Sequence, residues 1–163
     1  MDDWEKILSG TFERIDETEK KEQEVGERIK QNRAKAEEFI SSVVESAFEE
    51  LKPVLEKHNQ KVQISTGETR DRKEPYATIN VRSIDPLSLL SFTYEIIIIP
   101  RADFISISYL GKFMDKGGHE YELVPNSDIP NGFQGNDISS ILKDEVKRDF
   151  ALKYKYMVER HLK

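Results

Sequence analysis

The sequence predicts an α+β fold: a five-stranded antiparallel meander sheet with two helices packed on one face, plus an N-terminal helical arm. Segments with helical periodicity lie at both ends of the chain, and five short segments of alternating apolar and polar residues lie between them. Each connection between those strands predicts a register, and the registers place the same apolar side chains on one face of the sheet. A chain of 163 residues is long enough to bury a hydrophobic core around such a sheet.

The N-terminal segment has the residue spacing of a coiled-coil seam, with positions alternately four and three residues apart. Trp4, Leu8 and Ile15 lie on this seam. Glu22 also falls on it, and residues 16–24 contain no apolar side chain, which weakens the seam in its middle. The pattern therefore predicts a helical arm whose apolar residues are concentrated near its N-terminal end.

A broader apolar face begins at Ala36 and predicts a helix that packs on a core. This face comprises Phe39, Ile40, Val43, Val44, Ala47, Phe48, Leu51 and Leu55. Pro53 either kinks this helix or opens its last turn before His58. We therefore predict an arm over residues 1–35 and a two-layer α+β domain over residues 36–163. The pattern leaves open whether the arm and the core helix are continuous.

The strands are joined by connections that predict their register. Asp85–Ser88 has Asp first and Pro second, as a type I turn prefers, and Lys116–Gly118 is a hairpin loop with glycine where a positive φ is needed. Pro100–Asp103 joins the two central strands. The residues predicted to pair are Val81 with Phe92, Ile96 with Ile107, and Phe113 with Tyr121. All three connections place the apolar residues on one face, and a slip of one residue in any of them would break that agreement.

A final helix is predicted over residues 137–162, with Asp137 or Asn136 as its cap. Its apolar positions are Ile138, Ile141, Leu142, Val146, Phe150 and Met157. Residues 143–163 carry seven basic and four acidic side chains, within a chain of net charge −6. That excess favours a solvated face that suits the negative end of a helix over a nucleic-acid surface. The basic residues of the nucleic-acid alternative are Lys143, Lys147, Arg148, Lys153, Lys155 and Arg160.

Several classes of chemistry lack the residues that they require. The chain has no cysteine, which excludes disulfides, thiolate metal sites and a cysteine nucleophile. His58, His119 and His161 are not at metal-ligand spacing, and neither a nucleophile elbow nor a phosphate-binding loop occurs. We therefore expect no catalytic residue, no metal and no cofactor. The run Ile96–Ile99 is too short to span a bilayer and the first residues are charged, so we expect a cytoplasmic protein without membrane association.

Two surfaces of the predicted sheet are candidate sites. The polar face offers a shallow ligand surface made of Thr78, Arg82, Glu95, Ser106 and Ser108. The alternative is an ordinary solvated sheet face without a ligand.

The second candidate is an apolar patch at one end of that face, formed by Ile97, Ile99 and Phe104. A contiguous exposed apolar patch is typical of a contact surface. Its cover is predicted to be the arm of the same chain or a second copy of the chain. The alternative is a central strand whose apolar patch is small enough to stay exposed. The arm residues predicted to bind a partner are Trp4, Leu8, Phe12 and Ile15.

The sequence favours a non-enzymatic protein-interaction module, of adaptor or chaperone-like type, that self-associates as a dimer through its arm. The alternative is a small-ligand-binding domain or an enzyme with a pocket between the sheet and the C-terminal helix. Tyr94, Tyr109 and Tyr121 would lend their hydroxyl groups to that pocket. Nucleic-acid binding through the last helix is the third reading, and the negative net charge opposes it.

Overall fold

The computed structural model describes residues 2–84, 91–114, 118–123 and 138–161. The elements in chain order are α1 (Asp3–Phe39), a π-helical turn (Ile40–Val44), α2 (Glu45–Lys57), β1 (Gln60–Glu68), β2 (Pro75–Ser83), β3 (Ser91–Pro100), β4 (Ile105–Met114), β5 (Glu120–Leu123), a 3₁₀ turn (Ile138–Ser140) and α3 (Lys143–His161). The predicted Asp85–Ser88 turn and the predicted cap at Asp137 lie outside the described residues. Of the predicted hairpin loop only Gly118 is described, and its φ of 79° is the positive value expected there.

The five strands form one antiparallel sheet in the order β1-β2-β3-β4-β5, with the helices on one face. Burial alternates along β3: Phe92, Tyr94, Ile96 and Ile98 are buried against the helices, and the residues between them are half-buried. This alternation is the signature of a sheet with one face in the core. The predicted α+β meander with its helical arm is confirmed.

The register of the sheet follows the prediction at two of the three hairpins. Val81 pairs with Phe92 across β2 and β3, and Phe113 pairs with Tyr121 across β4 and β5. Each of these pairs was expected from the residues of the connection between its strands. The reversals therefore have the lengths that the sequence indicates.

The predicted register between β3 and β4 is wrong by two residues. Ile96 pairs with Tyr109 rather than with Ile107, because Pro100 itself pairs with Ile105 and extends the hairpin. Arg101 closes that connection by donating its backbone N–H to the Phe104 carbonyl at 2.9 Å. Since side chains alternate with a period of two, the shift leaves every residue on its predicted face.

The arm and the core helix form one continuous helical rod. α1 passes into α2 through the single π-helical turn, and the amide of Glu45 bonds to the Ile40 carbonyl, as that turn requires. The hydroxyl groups of Ser41 and Ser42 both donate to the Glu38 carbonyl, at 3.1 and 2.6 Å. Both serine hydroxyl groups are thus bonded to the backbone of the rod itself.

Three polar contacts attach α1 to the ends of the strands. Arg28 forms an ion pair with Asp103 at 3.1 Å, and the Asn32 side-chain amide donates to the Arg101 carbonyl at 2.6 Å. The Arg33 guanidinium donates to the Lys73 carbonyl at 2.9 Å. The first buried residue of the helix, Ala36, follows one turn later. We call residues 3–27, which precede these attachments, the arm.

α3 begins at Lys143, six residues later than predicted. The amides of Glu145 and Val146 bond to the Leu142 carbonyl, so Leu142 precedes the helix rather than lying on its apolar face. Its side chain is accordingly 62% exposed. Ile138 and Ile141 are buried as predicted, and the 3₁₀ turn carries them into the core.

Candidate interaction surface

The arm presents a stripe of large apolar side chains to solvent. The stripe consists of Trp4, Ile7, Leu8, Phe12 and Ile15, which are between 46% and 68% exposed. Every other residue from 3 to 27 is also exposed, apart from the partly shielded Gly10. The predicted partner-binding residues of the arm therefore lie on one surface of one helix.

The amino-acid sequence explains why the arm is helical although it buries so little. Asp16, Glu17 and Glu24 each precede a basic residue by four positions, the orientation that stabilises an isolated helix. Gly10 and Gly26 oppose this by about 1 kcal/mol each. Helices in water gain most of their stability from packing an apolar face, and the stripe is such a face.

The strand-end patch consists of Ile97, Ile99 and Phe104, and it lies at the β3–β4 connection. Ile97 and Ile99 are half-buried, and Phe104 is 58% exposed. The arm of the same chain does not cover this patch, because α1 is unbroken from Asp3 to Phe39 and the stripe stays exposed.

The predicted ligand surface on the polar face is not brought together. Thr78 lies directly opposite Glu95, but Ser108 lies opposite Ile97 rather than beside Glu95. The two-residue shift between β3 and β4 causes this difference. Arg82 is four residues along β2 from Thr78, which is about 13 Å in an extended strand.

The remaining polar-face residues are scattered in the same way. Ser106 pairs with Ile99, at the opposite end of the sheet from Arg82. Asn80 is occupied locally, since its side-chain amide donates to the hydroxyl groups of Ser91 at 3.0 Å and Thr93 at 2.7 Å. This face has the separated polar groups of a solvated sheet rather than a convergent set.

A buried polar cluster between α3 and the sheet is the feature that sequence reasoning missed. The Asp149 carboxylate and the Lys153 ammonium form an ion pair at 2.6 Å, and each residue is only 1% exposed. The Tyr94 hydroxyl donates to the same carboxylate. The Lys153 nitrogen lies 4.9 Å from the centre of the Tyr109 ring and 5.9 Å from that of Tyr94, within cation–π range.

The spacing of residues along the last helix could have revealed this cluster. Val146, Phe150 and Met157 mark the apolar stripe of α3, and Lys153 falls on the same stripe, seven residues after Val146. An acidic residue four positions before it, Asp149, offers the partner that a buried lysine needs. Lys153 was predicted to lie on the solvated basic face of this helix, and that prediction is wrong because the side chain is buried.

The tyrosines of the proposed pocket are engaged in the core or at its edge. Tyr94 is fully buried, and its ring packs edge-on against Phe48 and Phe150 at centroid distances of 5.9 and 5.8 Å. Tyr121 is exposed and stacks on Phe113 at 4.9 Å. The Tyr94 hydroxyl, which donates to Asp149, is thus already used by the protein.

Alkaline titration is expected to reveal the raised pKa values of three tyrosines. Burial, with the neighbouring Asp149 carboxylate, raises the pKa of Tyr94 well above its ordinary value of 10.0 and also raises the pKa of Tyr109. Burial alone raises the pKa of Tyr154. Above about pH 10 the unfolded chain releases these protons while the folded chain keeps them, so the free energy of unfolding falls as the pH rises.

Tyrosinate absorbance, recorded together with circular dichroism, measures this effect. We expect Tyr94 to ionise only as the helical signal is lost. Ionisation of all six tyrosines in one step near pH 10, with the fold intact, would contradict the burial argument.

No protein-family model, curated protein or solved structure matches this chain. Within the described ranges, no three histidine, aspartate or glutamate side chains are grouped as a metal site requires. Among the helices that the structure describes, none combines the length and the apolar character needed to cross a bilayer.

Proposed function

We propose that this chain is a non-enzymatic protein-interaction module, of adaptor or chaperone-like type, that self-associates as a dimer through its arm. The observation that carries the proposal is the exposed stripe on residues 3–27. At 1.5 Å per residue this segment is about 37 Å long, and helices in proteins gain most of their stability from packing an apolar face of this kind. Burial of the stripe against another helix stabilises both the arm and the complex.

The two ends of α1 have different roles. Residues 3–27 associate, whereas Arg28, Asn32 and Arg33 attach the helix to the α+β domain of residues 36–163, which the association brings together. The strand-end patch (Ile97, Ile99 and Phe104) is a separate candidate contact for a protein partner. The absence of cysteine suits a reducing compartment such as the cytoplasm.

Substitution of Leu8 by aspartate is expected to abolish the dimer at micromolar concentration. Burial of a leucine side chain contributes about 1.5–3 kcal/mol, and a dimer loses two of them, so association weakens by at least roughly a hundredfold. Sedimentation velocity over a micromolar concentration series measures the change. The wild-type chain is expected to sediment with twice the mass of one chain.

Ser9→Asp is the matched control, because it adds the same charge one residue away and outside the stripe. It should leave the dimer intact. A wild-type chain that stays monomeric at high micromolar concentration would overturn the proposed function. Equal weakening by both variants would show that added negative charge, and not loss of the stripe, is responsible.

A further inference from the structure

The seam of the arm continues along the whole exposed length of α1. A coiled-coil seam has two positions in each seven-residue repeat. One position is occupied by Trp4, Thr11, Thr18 and Val25, and the other by Leu8, Ile15 and Glu22. The Thr11 hydroxyl donates to the Ile7 carbonyl and the Thr18 hydroxyl to the Arg14 carbonyl, both at 2.8 Å. These hydroxyl groups are satisfied within the helix, so neither threonine needs a polar partner across the seam.

The positions that flank the seam differ in charge. One flank carries Ile7, Arg14, Lys21 and Arg28, and the other carries Glu5, Phe12, Glu19 and Gly26. In a parallel two-stranded coiled coil, the first flank of one helix meets the second flank of the other helix. In an antiparallel pair, each flank meets the same flank of the other helix. Within the arm, parallel pairing therefore sets Arg14 against Glu19 and Lys21 against Gly26, whereas antiparallel pairing sets like charges together.

We propose that each arm pairs with the arm of a second copy, parallel and in register, with Arg14 of one copy beside Glu19 of the other. The inference rests on the self-association proposed above and specifies its geometry. The same register sets Ile7 against Phe12 of the second copy, which extends the apolar contact beyond the seam. Each contact occurs twice, because the pair is symmetric. Glu22 meets Glu22 of the second copy in this register, and the repulsion between the two carboxylates lowers the stability of the pair.

The contacts of α1 with its own domain set the C-terminal end of the paired segment. Arg28 and Asn32 are bound to Asp103 and to the Arg101 carbonyl of the same chain. The pairing therefore extends from Trp4 to Val25, which is about 33 Å of helix or three heptads.

The direction of the stripe leaves room for a second helix. Leu8 and Ala36 are 28 residues apart, and a straight helix drifts about 20° per heptad relative to the seam, which makes about 80° over this distance. Ala36 is fully buried against the sheet. The stripe therefore faces sideways rather than toward the sheet of its own chain, and a partner helix can lie against it.

This geometry separates the arm from the strand-end patch. Leu8 lies 20 residues before Arg28, or about 30 Å along the helix. In a parallel pair the tips of both arms lie together, so neither tip reaches Phe104 of the other copy. The strand-end patch remains a surface for a different contact.

Single-cysteine variants test the orientation of the arms, since the natural chain has no cysteine to interfere. Thr11→Cys and Thr18→Cys should each cross-link two copies under mild oxidation, because their counterparts meet at the same level of a parallel pair. An antiparallel pair can bring one of these positions to its own counterpart but not both. Ser9→Cys, which lies off the seam, is the control and should cross-link much less.

Charge exchange tests the residues that set the orientation. Arg14→Glu alone and Glu19→Arg alone each replace two attractions by two repulsions, and we expect roughly tenfold weaker association for each. The double variant R14E/E19R restores opposite charges across the parallel pair and should return to the wild-type affinity. An effect of either single change on helix propensity would persist in the double variant, so recovery isolates the contact between copies.

The outcomes separate this inference from the proposed function. A chain that stays dimeric while cross-linking at only one threonine position, or that fails to recover in R14E/E19R, overturns the parallel register and leaves the interaction module standing. A chain that never dimerises removes both. Cross-linking at both positions together with recovery in the double variant supports the parallel pair.

Discussion

Replacement of Asp149 by alanine is expected to lower the free energy of unfolding by about 3–5 kcal/mol, because it leaves a buried ammonium group without its carboxylate. Lys153 is 1% exposed and cannot turn to water without opening the packing between α3 and the sheet. The Tyr94 hydroxyl loses its acceptor at the same time. Denaturant-induced unfolding, followed by circular dichroism at one protein concentration, measures the loss.

A second ion pair on α3 provides the control for this experiment. Lys155 and Glu159 are also four residues apart and lie 3.7 Å from each other, but their side chains are 69% and 63% exposed. Exposed pairs of this kind contribute little, because water and salt screen them. Glu159→Ala should therefore leave the unfolding midpoint almost unchanged.

A double variant distinguishes the two explanations of a large loss at Asp149. Asp149→Leu combined with Lys153→Met replaces the ion pair by apolar side chains of similar size and should recover the stability except for the cost of the Tyr94 hydroxyl, which stays without its acceptor. Recovery would show that the unpaired charge, rather than lost packing volume, causes the damage. A loss below about 1 kcal/mol for Asp149→Ala would mean that Lys153 finds water or another partner, contrary to its burial.

Replacement of Phe150 by alanine is expected to cost about 3–5 kcal/mol, through lost burial and the cavity that remains. Phe150 is 2% exposed and touches three aromatic rings. Its ring centre lies 5.6 Å from that of Phe92, 5.8 Å from that of Tyr94 and 5.8 Å from that of Tyr154. Because these rings come from both β3 and α3, the cavity would weaken the contact between the sheet and the helix that covers it.

Phe104→Ala is the control for the same change of side chain. Phe104 is 58% exposed, and its truncation removes little buried surface, so we expect a change within about 0.5 kcal/mol. The m-value should stay constant in both variants, since neither changes how much of the chain unfolds. Similar losses at the two positions would contradict the assignment of Phe150 to the core.

The arrangement of the sheet was predictable because its register depends on local information. Alternation along β2 and β3 and the residues of the connections place Val81 opposite Phe92, as the structure confirms. The error between β3 and β4 arose at Pro100, which was read as the start of the connection but is the last residue of the strand. Proline tolerates such a position because it needs no amide hydrogen at the end of a ladder.

The buried polar cluster was not predicted because it depends on contacts between elements that are far apart in the chain. Along α3, Lys153 is one of several basic residues, and only its position on the apolar stripe distinguishes it. What makes a charge acceptable there is the meeting of Asp149 from the same helix with Tyr94 from β3, 55 residues away in the chain. A buried polar group requires satisfied partners, and partners from distant elements cannot be read from local spacing.

The stripe of the arm was also predictable only in part. The periodicity of Trp4, Leu8 and Ile15 indicated a helical stripe, but periodicity cannot distinguish a buried stripe from an exposed one. The structure decides this at the π-helical turn Ile40–Val44, through which α1 passes into α2 without a break. A continuous rod cannot fold its tip back onto its own sheet, and the stripe is therefore exposed.

The sequence by itself determined the order of the elements, the face of each strand and the helical arm, because each of these follows from residue spacing within a few turns or one hairpin. Only the tertiary structure decided that the arm projects, that the polar residues of the sheet stay apart, and that a lysine and an aspartate share the core. Those outcomes depend on distances between residues far apart in the chain, and such distances exist only once helix and sheet have packed together.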